Sequence, residues 1–594
     1  MRRGTMALLG LGLAVAVEAA PPQVRVWPVD ALVKVFPADR PPSRPPAAPE
    51  LVAARNQHVA LQVALRATAR LEGVAAECRP LEGPAGTLPA DVRVQAVGLV
   101  VVGSGTDDVP DDELVGEAPG WYPDPLVDLP LTLETDRTRA VQVTIHVPKE
   151  ARPGLYRSAV VVRQGDREIG RSAFRLRVAA ADVPAERTLR VTNWFRVDDR
   201  HAKQFWGAPQ FSDPWWNLVA NLARVMAEYR QNVVLTPTRD LVELLPGEGS
   251  RFGFDRFDRW VETFQRAGAI GFIEGEHLMG RAGGYDEPLV VPVLLQEGPK
   301  IRKVELPLDD PRVQPFLDAF LPALNRHLEE KGWKPAYLQH VLDEPHGEEP
   351  AAYARVAALV RKHLPGVPTI DAIDAHDVPD ALREASDVWV PQLGRFDDQL
   401  ALLAERQHAG HEVWFYTCLF PRGRYMNRLM DFPLLKTRLL HWVNYRHSLT
   451  GFLHWGWNFW GPEPTKDTQP VINLNQTLLP SGDAFIVYPD RARLSVFSSV
   501  RLEAMRAGIE DYEMLVALAR RDRAAADAIA REAVATLTEY VRDPAAFRRI
   551  EAKLIESLAA RQAKAGAPNG RRSERAHIGQ RRGGHTVPCI WGKA

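Results

Sequence analysis

The residues best suited to chemistry are an adjacent acidic pair, Asp343-Glu344, followed by Pro345 and preceded by the largely apolar run Ala336-Tyr337-Leu338-Gln339-His340-Val341-Leu342. Carboxylates at the end of an apolar strand are costly to bury unless they are solvated, paired or used. Two neighbouring carboxyls in a partly dry pocket resist double ionisation, so one keeps its proton and can act as an acid near neutral pH. Protonating a leaving oxygen is what cleavage of a glycosidic bond requires. Consecutive residues, however, stand too close together to flank a sugar ring as acid and enzyme nucleophile. A substrate with a 2-acetamido group removes the difficulty, because its own carbonyl oxygen can attack the anomeric carbon. One carboxylate then protonates the leaving oxygen, and the other orients the acetamido nitrogen and stabilises the oxazolinium-like intermediate. The bland alternative is a strand that simply ends in polar residues.

Other candidates would line the same site. Glu274, Glu276 and His277 follow the third predicted strand, where ligand binding competes with a solvated loop. Tyr416, ending the seventh, can donate to an acetamido carbonyl or to backbone. Trp455 and Trp457 point the same way by alternation and suggest a sugar-stacking wall rather than core, with Asn458 beside them. Gln392, Asn193 and Arg196 are weaker candidates. Asp371, Asp374, His376 and Asp377 form an acidic and imidazole cluster whose spacing matches no metal loop with known mechanics. We therefore expect no metal and no cofactor. A phosphate-binding Gly-rich loop with its Lys, a Gly-x-Ser-x-Gly elbow and paired CxxC motifs are all absent from the sequence.

These residues need a scaffold, and the chain predicts one. Strict apolar alternation runs through Val59, Leu61, Val63 and Leu65 and again through Val141, Val143, Ile145 and Val147, the period of half-buried strands. With further β-type runs at 93–102, 158–163 and 173–179, this predicts a β-sandwich over 21–185. From about 189, short buried strands alternate with amphipathic helices. Strands are predicted at 189–195, 232–237, 269–275, 336–343, 368–374, 387–393, 412–418 and 451–457. Helices fall between them at 214–230, 257–267, 313–331, 349–363, 378–384, 399–407 and 433–447. That count predicts a (β/α)8 TIM-type barrel over 186–480, a fold whose active sites lie on loops after the strand C-termini. An insertion at 281–311 reads as a hairpin, 289–295 with 301–306, over the barrel mouth. A C-terminal helical segment, 481–564, carries Leu502, Met505, Ile509 and Tyr512 on one stripe and should pack on the barrel. Arg501, Glu503, Arg506 and Asp511 read as an ion-pair network fastening it there. The Gly- and Arg-rich stretch 565–594 is predicted to be a disordered basic tail.

The 594-residue composition sets outer limits. Lys+Arg 74 and Asp+Glu 75 leave a net charge of −1, which provides no general attraction to nucleic acid or an anionic membrane. Arg2 and Arg3, an apolar run over 6–17 and Val17-Glu18-Ala19 predict a signal peptide at 1–20, and hence a secreted or periplasmic protein. No other segment has about eighteen consecutive apolar residues. Cys78, Cys418 and Cys589 are too far apart in sequence to suggest a disulfide framework.

Taken together, Asp343-Glu344, Trp121-Tyr122-Pro123-Asp124-Pro125-Leu126, Ile273-Glu274-Gly275-Glu276-His277-Leu278 and the run Val500-Arg501-Leu502-Glu503-Ala504-Met505-Arg506-Ala507-Gly508-Ile509-Glu510-Asp511-Tyr512-Glu513 resemble glycoside hydrolase family 123. The resemblance extends from about 50 to 520. It implies an exported exo-β-N-acetylgalactosaminidase acting by substrate-assisted retention on a glycan or glycoconjugate. Asp343 would orient the acetamido group and Glu344 would be the acid/base. Two rivals stay open: a non-catalytic carbohydrate-binding protein, and a glycosidase for a neutral hexoside or uronide with Glu274 or Glu276 as protein nucleophile.

Overall fold

The structure, a computed structural model, describes residues 23–566 apart from 85, 246–250, 298–299, 473–475 and 477. The expected signal peptide and nearly all of the expected basic tail lie outside the described residues.

The N-terminal region is built of two sheets around one apolar core. One is five-stranded, in the spatial order Val24–Asp30, His58–Ala67, Thr138–His146, Asp91–Val102, Gly120–Val127. The main path of the other runs Glu50–Arg55, Arg167–Asp182, Gly154–Gln164, Leu71–Cys78, Leu131–Leu133. The alternation read from sequence sets the register: Val63 lies opposite Val141, Leu61 opposite Val143 and Val59 opposite Ile145. These side chains share a core with Val160, Val162, Phe174 and Leu176 of the second sheet, and a one-residue slip would turn them all outward. Pro123 and Pro125 fall on the outermost strand of this sheet, where its register against Asp91–Val102 is broken by an irregularity, a setting in which proline is tolerated. The free side of that strand is covered by the C-terminal region, with Leu126 N–H donating to Ser498 O at 2.9 Å.

Eight short strands follow: β1 (Arg190–Asn193), β2 (Val233–Thr236), β3 (Phe272–Gly275), β4 (Tyr337–Gln339), β5 (Ile370–Ile373), β6 (Val388–Pro391), β7 (Trp414–Tyr416) and β8 (Gly451–His454). The main helices between them, besides the short Asp199–Trp206 and Thr238–Leu241, are α1 (Asp213–Glu228), α2 (Asp255–Ala267), α3 (Val313–Glu330), α4 (Glu349–His363), α5 (Asp380–Ala385), α6 (Phe396–His408) and α7 (Leu434–Arg446). The parallel ladders form three groups: β1-β8-β7, β2-β3-β4 and β5-β6. Single parallel bridges, Gln339 to Thr369 and Trp389 to Val413, link these groups at β4/β5 and β6/β7. The alternation of strand and helix is therefore as expected, but the ladders make partial-barrel sheets rather than one continuous closed ring.

The strands are about half as long as their apolar runs suggested, and β4 shows the reason. Beyond Gln339 the N–H of Val341 is taken by the Asp371 carboxylate at 2.9 Å, so a side chain ends the ladder there. The insertion forms the expected hairpin, Leu289–Glu297 with Lys300–Pro307, and Val293 pairs with Val304. After β8, helix α8 (Val500–Ala519) lies along α7. A β-carbon on Gly508 would stand 2.2 Å from Arg438 O, so glycine allows that approach despite its cost of about 1 kcal/mol within a helix.

The expected stripe Leu502, Met505, Ile509 and Tyr512 is buried, and so are most of the charges between them. Arg501 makes a bidentate pair with Asp124 at 2.8–2.9 Å, Arg438 another with Asp511 at 2.8–2.9 Å, and Glu510 accepts from His58 at 2.8 Å. The conspicuous C-terminal motif thus ties α8 both to α7 and to the N-terminal sheets. Asp124 in the Trp-Tyr-Pro-Asp-Pro run and Arg501 are two halves of one ion pair. Among the described residues no helix is long and apolar enough to cross a membrane.

Candidate active site

Because β4 ends at Gln339, Asp343 and Glu344 stand on its exit rather than on the strand itself, and both are half-buried. Glu344 has φ +45°, a left-handed conformation that a β-carbon disfavours. Holding it costs of order 1–3 kcal/mol, a kind of strain found where surroundings over-determine a functional residue. Those surroundings are visible. The carbonyl of Glu344 accepts from Arg281 at 3.2 Å and from the Tyr285 hydroxyl at 3.4 Å, and its Oε1 accepts from the Tyr416 hydroxyl. Arg281 is fixed in turn by Glu349 at 2.6 Å, and Tyr285 stacks on His346 with ring centroids 4.1 Å apart.

Burial pushes the Glu344 carboxyl up to about 8; the neighbouring Asp343 acts in the same direction and the Tyr416 hydroxyl opposes it. Burial and then the Asp371 carboxylate raise Asp343 as well, against His340 and Arg281. The two titrate as one unit. At neutral pH that unit keeps a proton, and Glu344 is where it is held more firmly. The arrangement has an acid ready to protonate a leaving group next to a carboxylate able to carry negative charge.

Beneath the pair lies a buried polar row. His340 reaches Glu274 at 2.7 Å with Nε2 and Asp371 at 2.8 Å with Nδ1. Glu274 also accepts from the Thr192 hydroxyl at 2.6 Å and the Trp194 indole at 2.9 Å. This corrects the expectation for Glu274, which is fully buried and forms floor rather than a ligand position. Glu276 accepts from the Arg239 guanidinium at 2.9 Å, and His277 lies with its ring 4.3 Å from that of His340. Neither stands free at the mouth.

The remaining candidates separate. Tyr416 is on the pair. Trp455 is partly exposed, and its Nε1 donates to Asp483 at 3.0 Å while its ring meets Phe459 edge-on at 5.0 Å. Trp457 is instead core, 1% exposed, with Phe195 edge-on to it. The alternation argument failed for these two because β8 stops at His454, before either residue. Asn458 is buried and clamps the backbone of Arg196 with bonds of 2.7 and 2.9 Å, and Gln392 is buried and caps Gly394 N. Asn193 is buried on Arg428 and Gln231, and the Arg196 side chain pairs with Asp198. Asn458, Gln392 and Asn193 are thus committed to internal partners, whereas Arg196 is exposed.

The cluster read as a metal possibility is dispersed: Asp371 on His340, Asp374 on Arg395 at 2.8 Å, His376 on Asp398 at 2.9 Å and Asp377 on Arg383 at 2.9 Å. His277, His340 and Asp371 do bring three donor atoms within 4.8 Å of one another. Both nitrogens of His340 already face carboxylates, however, at 2.7 Å and 2.8 Å, so His340 has hydrogen-bond partners of its own on each side. Sequence reasoning overlooked Arg281, Tyr285, His340 and the role of Asp371. The readable signal was His340, an imidazole in an otherwise apolar run three residues before the acid pair.

Residues 197–518 match the family model of the glycoside hydrolase 123 catalytic domain. Among solved structures, a family 123 glycoside hydrolase from Clostridium perfringens, described for glycolipid glycan hydrolysis, superposes with a TM-score of 0.69 at 14% identity. The match covers 91% of this chain and 97% of that one, and at that identity it speaks for the fold. A family 39 glycoside hydrolase from Bacteroides cellulosilyticus WH2 covers 72% of this chain and 80% of its own at 11% identity. Its TM-score of 0.34 carries no argument. No curated protein sequence matches.

Proposed function

This chain belongs to the glycoside hydrolase 123 family and is a glycoside hydrolase, and from that premise we propose that it removes a terminal β-linked N-acetylgalactosamine from a glycan by substrate-assisted retention. Asp343 accepts the acetamido N–H and turns the amide so that its carbonyl oxygen attacks C1. Glu344 gives its proton to the departing oxygen. The oxazolinium that forms is stabilised by the Asp343 carboxylate, and Glu344, now ionised, deprotonates the water that opens it. Two displacements at C1 retain its configuration.

The observation that carries this reading is that, of the four carboxylates weighed for the reaction, Asp343, Glu344, Glu274 and Glu276, the adjacent pair is the one not taken up by the core or by Arg239. Glu274 accepts three hydrogen bonds in the core and Glu276 is held by Arg239, so the two residues that a protein-nucleophile mechanism would recruit are already committed. The left-handed backbone of Glu344 is strain of the kind found at active sites and ligand clamps. Trp455, with its indole fixed by Asp483, supplies the sugar-stacking face. We further take the partial parallel sheets as a (β/α)8 barrel on which α8 packs, the N-terminal sheets as a β-sandwich, and the substrate as an extracellular glycoconjugate. The glycolipid glycans hydrolysed by the Clostridium perfringens relative fit that substrate class.

The experiment is a panel of aryl glycosides that differ at the 2-substituent and at the axial or equatorial 4-hydroxyl, with a thiazoline mimic of the intermediate as inhibitor. Turnover confined to 2-acetamido sugars with strong thiazoline inhibition is expected. Turnover of neutral hexosides, or a covalent glycosyl adduct on any carboxylate, would revive the protein-nucleophile reading.

A further inference from the structure

The floor under the acid pair carries more charge than the reaction scheme uses. Glu274 from β3, His340 from the exit of β4 and Asp371 from β5 are all fully buried. His340 lies between the two carboxylates, 2.7 Å from Glu274 and 2.8 Å from Asp371. A neutral imidazole has a single N–H, so if both partners are ionised both nitrogens donate and the ring is an imidazolium. With both carboxylates ionised the row bears one net negative charge, in surroundings where charge is weakly screened.

The ends of the row are anchored. Glu274 is held by Thr192 on β1 and by Trp194 just after it. Asp371 accepts from the Tyr353 hydroxyl of α4 at 2.7 Å and from Val341 N–H at 2.9 Å. Val341 lies two residues before Asp343. Four elements are thereby tied to the segment from which the acid pair leaves.

We propose that Glu274, His340 and Asp371 form one positioning unit for the hydrolytic pair, fixing the backbone that carries Asp343 and setting the charge state of its carboxyl. This rests on the assignment of Asp343 and Glu344 to the reaction. Through Val341 the unit determines where the pair points. Through space, Asp371 resists ionisation of Asp343 while His340 favours it. Arg281, on the open side, favours ionisation of both members of the pair. His277, lying on the His340 ring, is kept neutral by burial and by the His340 charge. Tyr353 keeps its proton, and Asp374, which acts on Glu344, is countered by Arg395.

Two readouts test the unit on the full chain. The first is 15N NMR of the histidine rings, with His340 assigned by loss of its signals in His340→Gln. Burial would strip the ring of its extra proton, yet Asp371 and Glu274 hold its titration up to about 10, so both ring nitrogens should stay protonated through neutral pH. A neutral His340 ring at neutral pH overturns the proposal, and this result does not depend on activity. The second readout is the pH profile of kcat/KM. Asp371→Asn removes a negative charge beside Asp343, so the acid limb should move to lower pH by about one unit, with kcat reduced and KM little changed. Glu274→Gln should move it the same way by less, and stands in if Asp371→Asn does not fold. A role confined to folding would lower the yield of active protein without moving the limb, and an unmoved limb in folded variants overturns the proposal. If the wild type turns over no glycoside, the functional reading fails while the NMR result still decides the ionisation of the row.

Discussion

Replacing Tyr416 by Phe isolates the hydrogen bond on the candidate acid. Tyr416 is 3% exposed and belongs to the same buried apolar cluster as Trp194, Trp414 and Leu453, so Phe fills the same space and only the hydroxyl is lost. That hydroxyl donates to Glu344 Oε1. A hydrogen bond to a charged group contributes about 1.5–3 kcal/mol, against about 1 kcal/mol for a neutral one. The differential is therefore about 0.5–2 kcal/mol in favour of the ionised form, or roughly one pKa unit at 1.36 kcal/mol per unit. Losing it raises Glu344 above its already elevated value of about 8. Tyr416 itself does not titrate in this range, because burial and the Glu344 charge push its own pKa well upward. The basic limb of kcat/KM on an aryl β-N-acetylgalactosaminide should accordingly move up by about one pH unit, while the plateau falls by less than about tenfold because the acid is still present. The profile should be recorded alongside thermal unfolding. A limb that stays in place or moves down in a folded variant would refute the assignment of Glu344 as the group that loses a proton there.

Glu344→Gln should cut kcat on natural-type leaving groups by about 10²–10⁴-fold and much less on nitrophenyl glycosides, which need little protonation; equal losses on both would indicate a binding role. Arg501→Met leaves Asp124 buried without its bidentate partner and uncovers the carbonyls of Arg428, Gly482 and Phe485. A loss of about 3–5 kcal/mol is expected, read as a lowered denaturant midpoint, and a loss under about 1 kcal/mol would mean the motif does not hold the regions together. Burial would raise the Glu510 carboxyl, but His58 and Arg506 depress it below its ordinary 4.5. A depressed carboxyl stabilises the fold above its unfolded pKa, and the contribution disappears as pH falls through the folded value. The stability advantage of wild type over Glu510→Gln should therefore be present at neutral pH and vanish in acid, and an advantage that persists in acid would contradict the ion pair.

The parts of this molecule legible in its sequence are those governed by local periodicity. Val59 to Leu65 and Val141 to Val147 show strands because their period is two, and the register that pairs Val63 with Val141 follows from burying one face. The acid pair was legible because a carboxylate after an apolar run needs a reason to be there. What stayed hidden depends on distant partners. Arg501 is 377 residues from Asp124, so the charges on α8 read as fastening it to the barrel, while their partner in the N-terminal sheets stayed hidden. Glu274 looked like a mouth residue because nothing local reveals that Thr192, Trp194 and His340 converge on it. Trp457 was misjudged by extending alternation past the end of β8, where the chain turns it into the core against Phe195.

The central claim is that the substrate's acetamido oxygen is the nucleophile, and varying that oxygen's electron density tests it most directly. One series of aryl β-galactosaminides differing only in the N-acyl group, acetyl through mono-, di- and trifluoroacetyl, holds the sugar and leaving group constant while the carbonyl becomes a poorer nucleophile. If Asp343 orients the acetamido group for attack, log kcat/KM should fall steeply and linearly with fluorine count. A flat series, with the trifluoroacetyl glycoside cleaved as fast as the acetyl one, would contradict the account and require a nucleophile from the protein.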